Sequence, residues 1–141
     1  MVDYRREYSE FSWDRARQAL SGLPDGRGVN IAHEAVDRHA AGPLAGHDAL
    51  RFVRTDGTTY ALSYAELAEQ TGRFASVLQW LGIERADRVF SLCGRLPELF
   101  VAAFGTLKNG SVFCPMSPGF DPEPARQRLR IGSGRALVTT R

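Results

Sequence analysis

Three short apolar runs separated by helix-length segments constrain this chain most. Val89–Cys93, Val112–Cys114 and Ala136–Thr140 each read as a strand. Between the first two, Pro97 opens a helical pattern that ends near Lys108, with Gly110 as its stop. Its apolar residues Leu99, Phe100, Ala103, Phe104 and Leu107 cover more than half its girth, which suits a buried helix. Between the second and third runs, Asp121 caps a helix with Pro122 at its first position, where a missing N–H costs nothing. Helices alternating with short apolar strands predict a βαβαβ unit with parallel strands and right-handed crossovers.

The segment before this unit predicts a β-hairpin and a long helix. Ala49–Arg54 and Thr59–Leu62 are strand-like and flank Thr55-Asp56-Gly57-Thr58, where the Asp-Gly pair signals a tight turn. Ser63 followed by Glu66 forms a capping box. The helix it opens carries Leu67, Thr71, Phe74, Leu78 and Leu81 on one face, and Gly82 is a natural stop.

Residues 1–47 differ in character. Ser12 can cap a short helix to about Leu20, Leu23-Pro24-Asp25-Gly26 reads as a turn, and Asn30 can cap a helix from Ile31 to about Ala41, closed by Gly42 and Pro43. This zone holds too few large apolar residues for a core of its own, so it is expected to lie on something larger, with Phe11 and Trp13 docking it there. The expected organisation is a helical N-terminal arm over 1–47 and an α/β region over 48–141. The fold class is α/β, a partial doubly wound sheet of three parallel strands preceded by the arm and the hairpin. Parallel strands want cover on both faces, and a doubly wound sheet usually has about five or six of them. The sequence is therefore expected to open a longer protein, the competing reading being a small complete three-layer domain.

Composition removes several function classes. The chain has 141 residues and a net charge of +2, and of its eighteen basic residues only Lys108 is lysine. The arginines are spread along the chain, whereas a nucleic-acid footprint needs a clustered basic face. No apolar run approaches the length of a membrane span, and Met1–Glu10 is charged rather than signal-like. Two cysteines are too few for a disulfide framework or a zinc site, so a reducing cytoplasmic compartment is expected.

Motifs and spacings yield few candidates for chemistry. His33 and Asp37 share a helix face near His39, but no third and fourth ligand is spaced for a metal, so surface pairing is expected. Cys93 and Cys114 close two predicted strands; buried cysteine acting as a small apolar side chain outweighs a redox pair. Arg126 and Arg130 lie one turn apart, with Arg128 pointing elsewhere, and read as a solvated face. Gly132-Ser133-Gly134-Arg135 reads as a helix-to-strand turn, since no Lys follows to hold a phosphate. No Ser-His-Asp or Cys-His arrangement is defined by spacing.

Several stretches taken in order resemble the adenylate-forming enzymes. Leu62-Ser63-Tyr64-Ala65-Glu66-Leu67 resembles their first core motif, and Leu107-Lys108-Asn109-Gly110 through Pro115 their second. Leu81-Gly82-Ile83-Glu84-Arg85-Ala86-Asp87-Arg88-Val89 resembles the stretch between, with Ala86 where the family has glycine, and Leu96-Pro97-Glu98-Leu99 also fits. Asn30-Ile31-Ala32 and Asp37-Arg38-His39 resemble the leader of the acetyl-CoA synthetase branch. The resemblance runs in register over roughly residues 8–140.

The resemblance implies the first part of the large domain of an AMP-forming acyl-CoA synthetase. Such enzymes join a carboxylate to ATP, releasing pyrophosphate, and then pass the acyl group to coenzyme A. ATP, Mg and coenzyme A are thus implied for a full-length enzyme. The family's Ser/Thr/Gly-rich phosphate loop, its adenine and ribose motifs and its C-terminal lysine are missing from these residues. The chain alone is accordingly expected to hold no cofactor, no metal and no catalytic residue. One functional segment has a counterpart: the turn that helps seat coenzyme A, aromatic-Gly-Gly-Phe, corresponds to Ser117-Pro118-Gly119-Phe120. Gly119 and Phe120 match and become the candidate coenzyme A wall; Ser117 and Pro118 do not match, and a plain strand-to-helix connection is the competing reading. Expected partners are the remainder of a synthetase, or a second copy through the exposed sheet edge and the apolar sides of helix 97–108, with no nucleic acid and no membrane. Other readings are a truncated remnant, a non-catalytic interaction or coenzyme A-binding module, and an unrelated flavodoxin-like domain.

Overall fold

A computed structural model of the chain describes residues 3–140. Two small sheets and six α-helices follow the order helix, helix, helix, hairpin, then alternating helix and strand. The arm begins with α1 (Tyr4–Glu10), capped by the Asp3 carboxylate, and α2 (Trp13–Gln18), capped by the Ser12 hydroxyl. A 3-10 turn at Pro24–Gly26 matches the predicted turn. Helix α1 is an element the motif reading did not include.

The helix expected from Ile31 forms as a π-helical stretch, His33–Asp37, followed by α3 (Arg38–Ala40). Its predicted cap is in place: Asn30 Oδ1 accepts the N–H of Ala32 at 2.8 Å and of His33 at 3.4 Å. The other end of the same side chain does long-range work, Nδ2 donating to the Leu107 carbonyl at 2.7 Å. One asparagine thus starts a helix and ties it to another 77 residues away.

The hairpin pairs β1 (Asp48–Val53) with β2 (Thr59–Ser63) in antiparallel register, Phe52 opposite Tyr60. Helix α4 (Tyr64–Trp80) carries the full capping box: Ser63 Oγ accepts from Glu66 N–H, and the Glu66 carboxylate accepts from Ser63 N–H at 2.8 Å. Leu67, Thr71, Ala75 and Leu78 form its buried face. Leu81, expected on that face, is 56 % exposed, because the helix ends at Trp80 and Gly82 turns the chain away at φ +72°.

The second sheet holds β3 (Arg88–Leu92), β4 (Val112–Met116) and β5 (Gly134–Thr139), all parallel, in the order β4-β3-β5. Helices α5 (Pro97–Lys108) and α6 (Pro122–Ile131) make the two crossovers. Alternate residues of a strand face opposite sides, and here each side has its own cover. Val89 packs with Leu78 and Ile83, with Phe74, Ala136 and Val138 around them. Phe90 points the other way, into a slot whose walls include Gly132 and Gly134; a Cβ on either glycine would lie within 3.0 Å of its ring. Asp121 stands at the N-cap of α6 as expected, yet its side chain makes no capping hydrogen bond there.

Helices α4 and α5 meet at Gly105, where a Cβ would sit 2.7 Å from the Phe74 ring and 2.9 Å from the Thr71 carbonyl. A second cluster, Val36, Leu62 and Leu67, brings together the arm, the hairpin and α4, with Val101 and Phe104 of α5 beside it. The arm is therefore docked on the body through Val36. Phe11 and Trp13, predicted to dock it, instead pack on each other edge to face at 5.3 Å and stay 57 % and 74 % exposed. The reason is local: neither α1 nor α2 buries a residue, so these two rings have only each other. Among the described residues no helix is long and apolar enough to cross a membrane.

Candidate functional site

Open parallel sheets bind ligands beyond the carboxyl ends of their strands. The segment leaving the end of β4 is Ser117–Phe120. It is a tight turn, with Phe120 N–H donating to the Ser117 carbonyl at 3.1 Å and Gly119 N–H donating to Ser117 Oγ at 3.3 Å. Gly119 is exposed, and a Cβ there would meet only Ser117 Oγ, at 3.8 Å. Neither crowding nor a positive φ calls for glycine at this position. That leaves an accessible stretch of backbone at the strand end.

Phe120 is half-buried, and the Arg128 guanidinium of α6 lies over its ring, 4.6 Å from the centroid. This cation–π contact fixes the ring's orientation and places a positive charge beside the turn. Eight residues separate the two, a spacing with no local sequence signature. Behind them a shallow groove is lined by Phe90, Cys114, Met116, Arg128 and Ile131 among others.

The two cysteines do not meet. Strand β4 runs on to Met116, so Cys114 sits mid-strand opposite Phe90 and shares its side of the sheet. Cys93 follows β3 on the side of Val89 and Ser91, and both thiols are free. Desolvation, with the nearby Glu98 charge adding to it, pushes the Cys93 thiol above its ordinary range. The thiolate needed for redox chemistry is thus disfavoured.

His33 and Asp37 do not pair with each other. Asp37 takes Lys108, Nζ to Oδ1 at 2.7 Å, and the same ammonium donates to the Ala68 carbonyl at 3.2 Å. The residue that organises this helix is Glu34, which the motif reading passed over. Its carboxylate accepts the N–H of Ser21 at 3.1 Å and of Gly22 at 2.6 Å, the Ser21 hydroxyl, and Arg38 at 2.6 Å. Desolvation acts to raise its pKa, but these donors together outweigh it and hold the carboxyl at about 2. Glu and Arg four apart were a readable helix pair; the backbone donors from Ser21 and Gly22 were not. Among the described residues, no three His, Cys, Asp or Glu side chains gather as metal ligands do.

The fit to phosphate is poor at the Gly132–Arg135 stretch. Gly132 caps α6, Ser133 has φ +47°, and Gly134 begins β5, so the stretch is a helix-to-strand turn. Its glycines make room for Phe90 rather than for a ligand.

The comparisons with known proteins agree with this geometry. The family described as AMP-binding enzyme matches residues 36–141. Acetyl-coenzyme A synthetase of Bacillus subtilis (strain 168) is 30% identical over 141 residues, which is 99% of this chain and 24% of that protein. Acetyl-coenzyme A synthetase of Syntrophus aciditrophicus is 35% identical over 112 residues, covering 79% of this chain and 17% of that protein. In three dimensions the chain is similar to the crystal structure of a Brucella canis acyl-CoA synthetase, with TM-score 0.85 and 29% identity over 99% of this chain and 25% of that one. Acetoacetyl-CoA synthetase from Streptomyces lividans follows at TM-score 0.73 and 28% identity, over 79% of this chain and 17% of that one. The chain spans about a quarter or less of the length of these relatives. Sequence likeness and fold together make this chain a member of the AMP-binding enzyme family.

Proposed function

We propose that this chain is the opening portion of the large domain of an AMP-forming acyl-CoA synthetase, of the branch that activates short carboxylic acids. The observation that supports it best is an end-to-end likeness to synthetases in which this chain accounts for about a quarter of the length. In this reading residues 1–47 form an arm and residues 48–141 the first strands and helices of that domain. The work of the segment is to build: it sets the first parallel strands and one wall of the coenzyme A channel.

The wall is Gly119 and Phe120. The bare backbone of Gly119 lets a slender ligand lie against it, and Phe120, steadied by Arg128, gives that ligand an apolar surface. Coenzyme A, when bound, supplies the thiol that takes the acyl group. The ATP phosphates and Mg find no matching donor set in the Gly132–Arg135 turn, so adenylation is assigned to residues outside this segment. The partners are then the rest of the synthetase, a small carboxylate and coenzyme A, in the cytoplasm.

Joining residues 1–141 to the part of the Bacillus subtilis relative that follows its matched region tests this. The fusion should form acetyl-CoA from acetate, ATP and coenzyme A. Phe120→Ala in the fusion should raise KM for coenzyme A several-fold and leave acetate-dependent pyrophosphate release unchanged. An unchanged KM would remove Phe120 from the wall. A folded fusion that binds coenzyme A without forming acetyl-CoA would favour the non-catalytic coenzyme A-binding module.

A further inference from the structure

We propose that the cleft between residues 23–31 and the two turns at 84–88 and 107–111 binds a phosphorylated small molecule with an apolar body. The cleft has a volume of about 420 Å³, the size range of small-ligand pockets. Its wall on the arm side carries Leu23, Val29 and Ile31; Val29 and Ile31 are 59 % and 63 % exposed, an apolar surface left open. Arg27, Arg85 and Lys108 also line it, and among the described side chains no carboxylate does.

The three cations are not equivalent. Lys108 is neutralised by Asp37 at 2.7 Å. Arg27 and Arg85 have no carboxylate partner among the described residues. Arg27 is held at its head group, and Arg85 is supported along its stem. Arg27 Nε donates to the Pro24 carbonyl at 3.2 Å, which leaves its two terminal nitrogens for a ligand. The Arg85 stem lies along Gly110, where a Cβ would sit 3.4 Å from its Cγ. Gly110 adopts φ +78°, and Ala86 N–H donates to its carbonyl at 3.0 Å, so the platform under Arg85 is a fixed double turn.

Two guanidinium groups on one cleft, without a carboxylate partner among the described residues, call for a ligand with more than one negative charge. A phosphate monoester, with three terminal oxygens and a double charge, matches two guanidinium forks better than a single carboxylate. The open apolar wall asks for a body beyond the phosphate, and the volume admits one of mononucleotide size. The cleft lies at the amino ends of the parallel strands, since Ser111 immediately precedes β4. Gly119 and Phe120 follow the other end of the same strand, so this is a separate site and does not depend on the coenzyme A wall.

The test is an amide NMR titration of the 141-residue chain with three probes: AMP, inorganic phosphate and adenosine. AMP should shift the amides of Gly28, Gly110 and Ser111 and saturate in the millimolar range or below. Phosphate should bind more weakly at the same amides, and adenosine more weakly still. Arg27→Gln and Arg85→Gln should each weaken AMP about tenfold, the scale of one lost charged hydrogen-bonding group. Both side chains are exposed, so the remaining spectrum should be unchanged. Raising the salt concentration on the unaltered chain should weaken AMP as well, which needs no variant. The proposal fails if AMP produces no saturating shifts. It also fails if adenosine matches AMP, if the two variants bind normally, or if the shifts fall only at Gly119 and Phe120. Phosphate equal to AMP would remove the apolar body from the proposal.

Discussion

Val89 in β3 and Val36 in the arm are both almost completely buried, at 0 % and 1 % exposure, but they are kept there by different means. Val89 lies inside a layered unit: α4 and its neighbours cover one face of the sheet, α6 reaches the other, and each strand is laced to the next. Val36 belongs to a segment that meets the body through a small apolar contact and two polar ties. Those ties are Asn30 to Leu107 and Asp37 to Lys108, while Glu34 holds the arm to itself through the backbone of Ser21 and Gly22. Area burial is diffuse and survives small shifts, whereas a polar tie depends on single atoms and on charge. The body should therefore respond to changes of volume, and the arm to changes of pH and of individual donors.

The largest expected effect is in the body. Leu78→Ala removes a side chain that is 2 % exposed at the centre of the sheet-facing cluster, and should cost about 3 kcal/mol. Urea unfolding followed by circular dichroism reads it directly. A loss under about 1 kcal/mol would mean that the α4–β3 contact is not the core of the body.

The arm provides the second test. Glu34 in the folded chain titrates near 2, against an ordinary value of 4.5. A carboxylate with a lowered pKa contributes stability that is complete above its ordinary value and is lost as pH falls through the lowered one. The hold of Glu34 on Ser21 and Gly22 should thus persist at neutral pH and fade between pH 4.5 and about 2. The amide shifts of Ser21 and Gly22 should titrate with a midpoint near 2. Glu34→Gln should abolish that titration and speed hydrogen exchange at the same amides, while those of β3 stay protected. A midpoint near 4.5, or equal loss of protection in β3, would erase the distinction between arm and body.

The smallest effect is a gain. Ala86 sits at φ +67°, in the left-handed region that favours glycine. It stands where the related family motif has glycine, so the departure seen in the sequence has a structural cost. Ala86→Gly should stabilise the chain by about 0.5–1 kcal/mol, less any entropy gained by the unfolded chain. Thermal unfolding would show a small rise; a fall would place the turn's preference elsewhere.

What was readable in the sequence follows from how local each signal is. The Ser63–Glu66 capping box, the Asp56-Gly57 turn, Pro97 at the start of α5 and Gly110 after its end are all decided within a few residues, and each formed. Strand β4 continued to Met116 although Pro115 breaks its pattern, which an outer strand tolerates because its unpaired side needs no N–H. At the candidate site, Gly119 and Phe120 were legible as a motif, but the Arg128 guanidinium over the Phe120 ring depends on how α6 folds back. The same holds for Glu34, whose main donors lie twelve and thirteen residues upstream. The docking role given to Phe11 and Trp13 failed because aromatic content alone does not say whether a partner surface is within reach.

The claim on which the account turns is a division of labour, in which this segment builds the sheet and a channel wall while acyl-adenylate formation is carried out by other residues. Pyrophosphate release from ATP, Mg and acetate, measured on the purified 141-residue chain beside the fused enzyme, addresses it most directly. Release is expected at the level of the protein-free blank for the chain and at a sustained, acetate-dependent rate for the fusion. Acetate-dependent release from the chain by itself would contradict it.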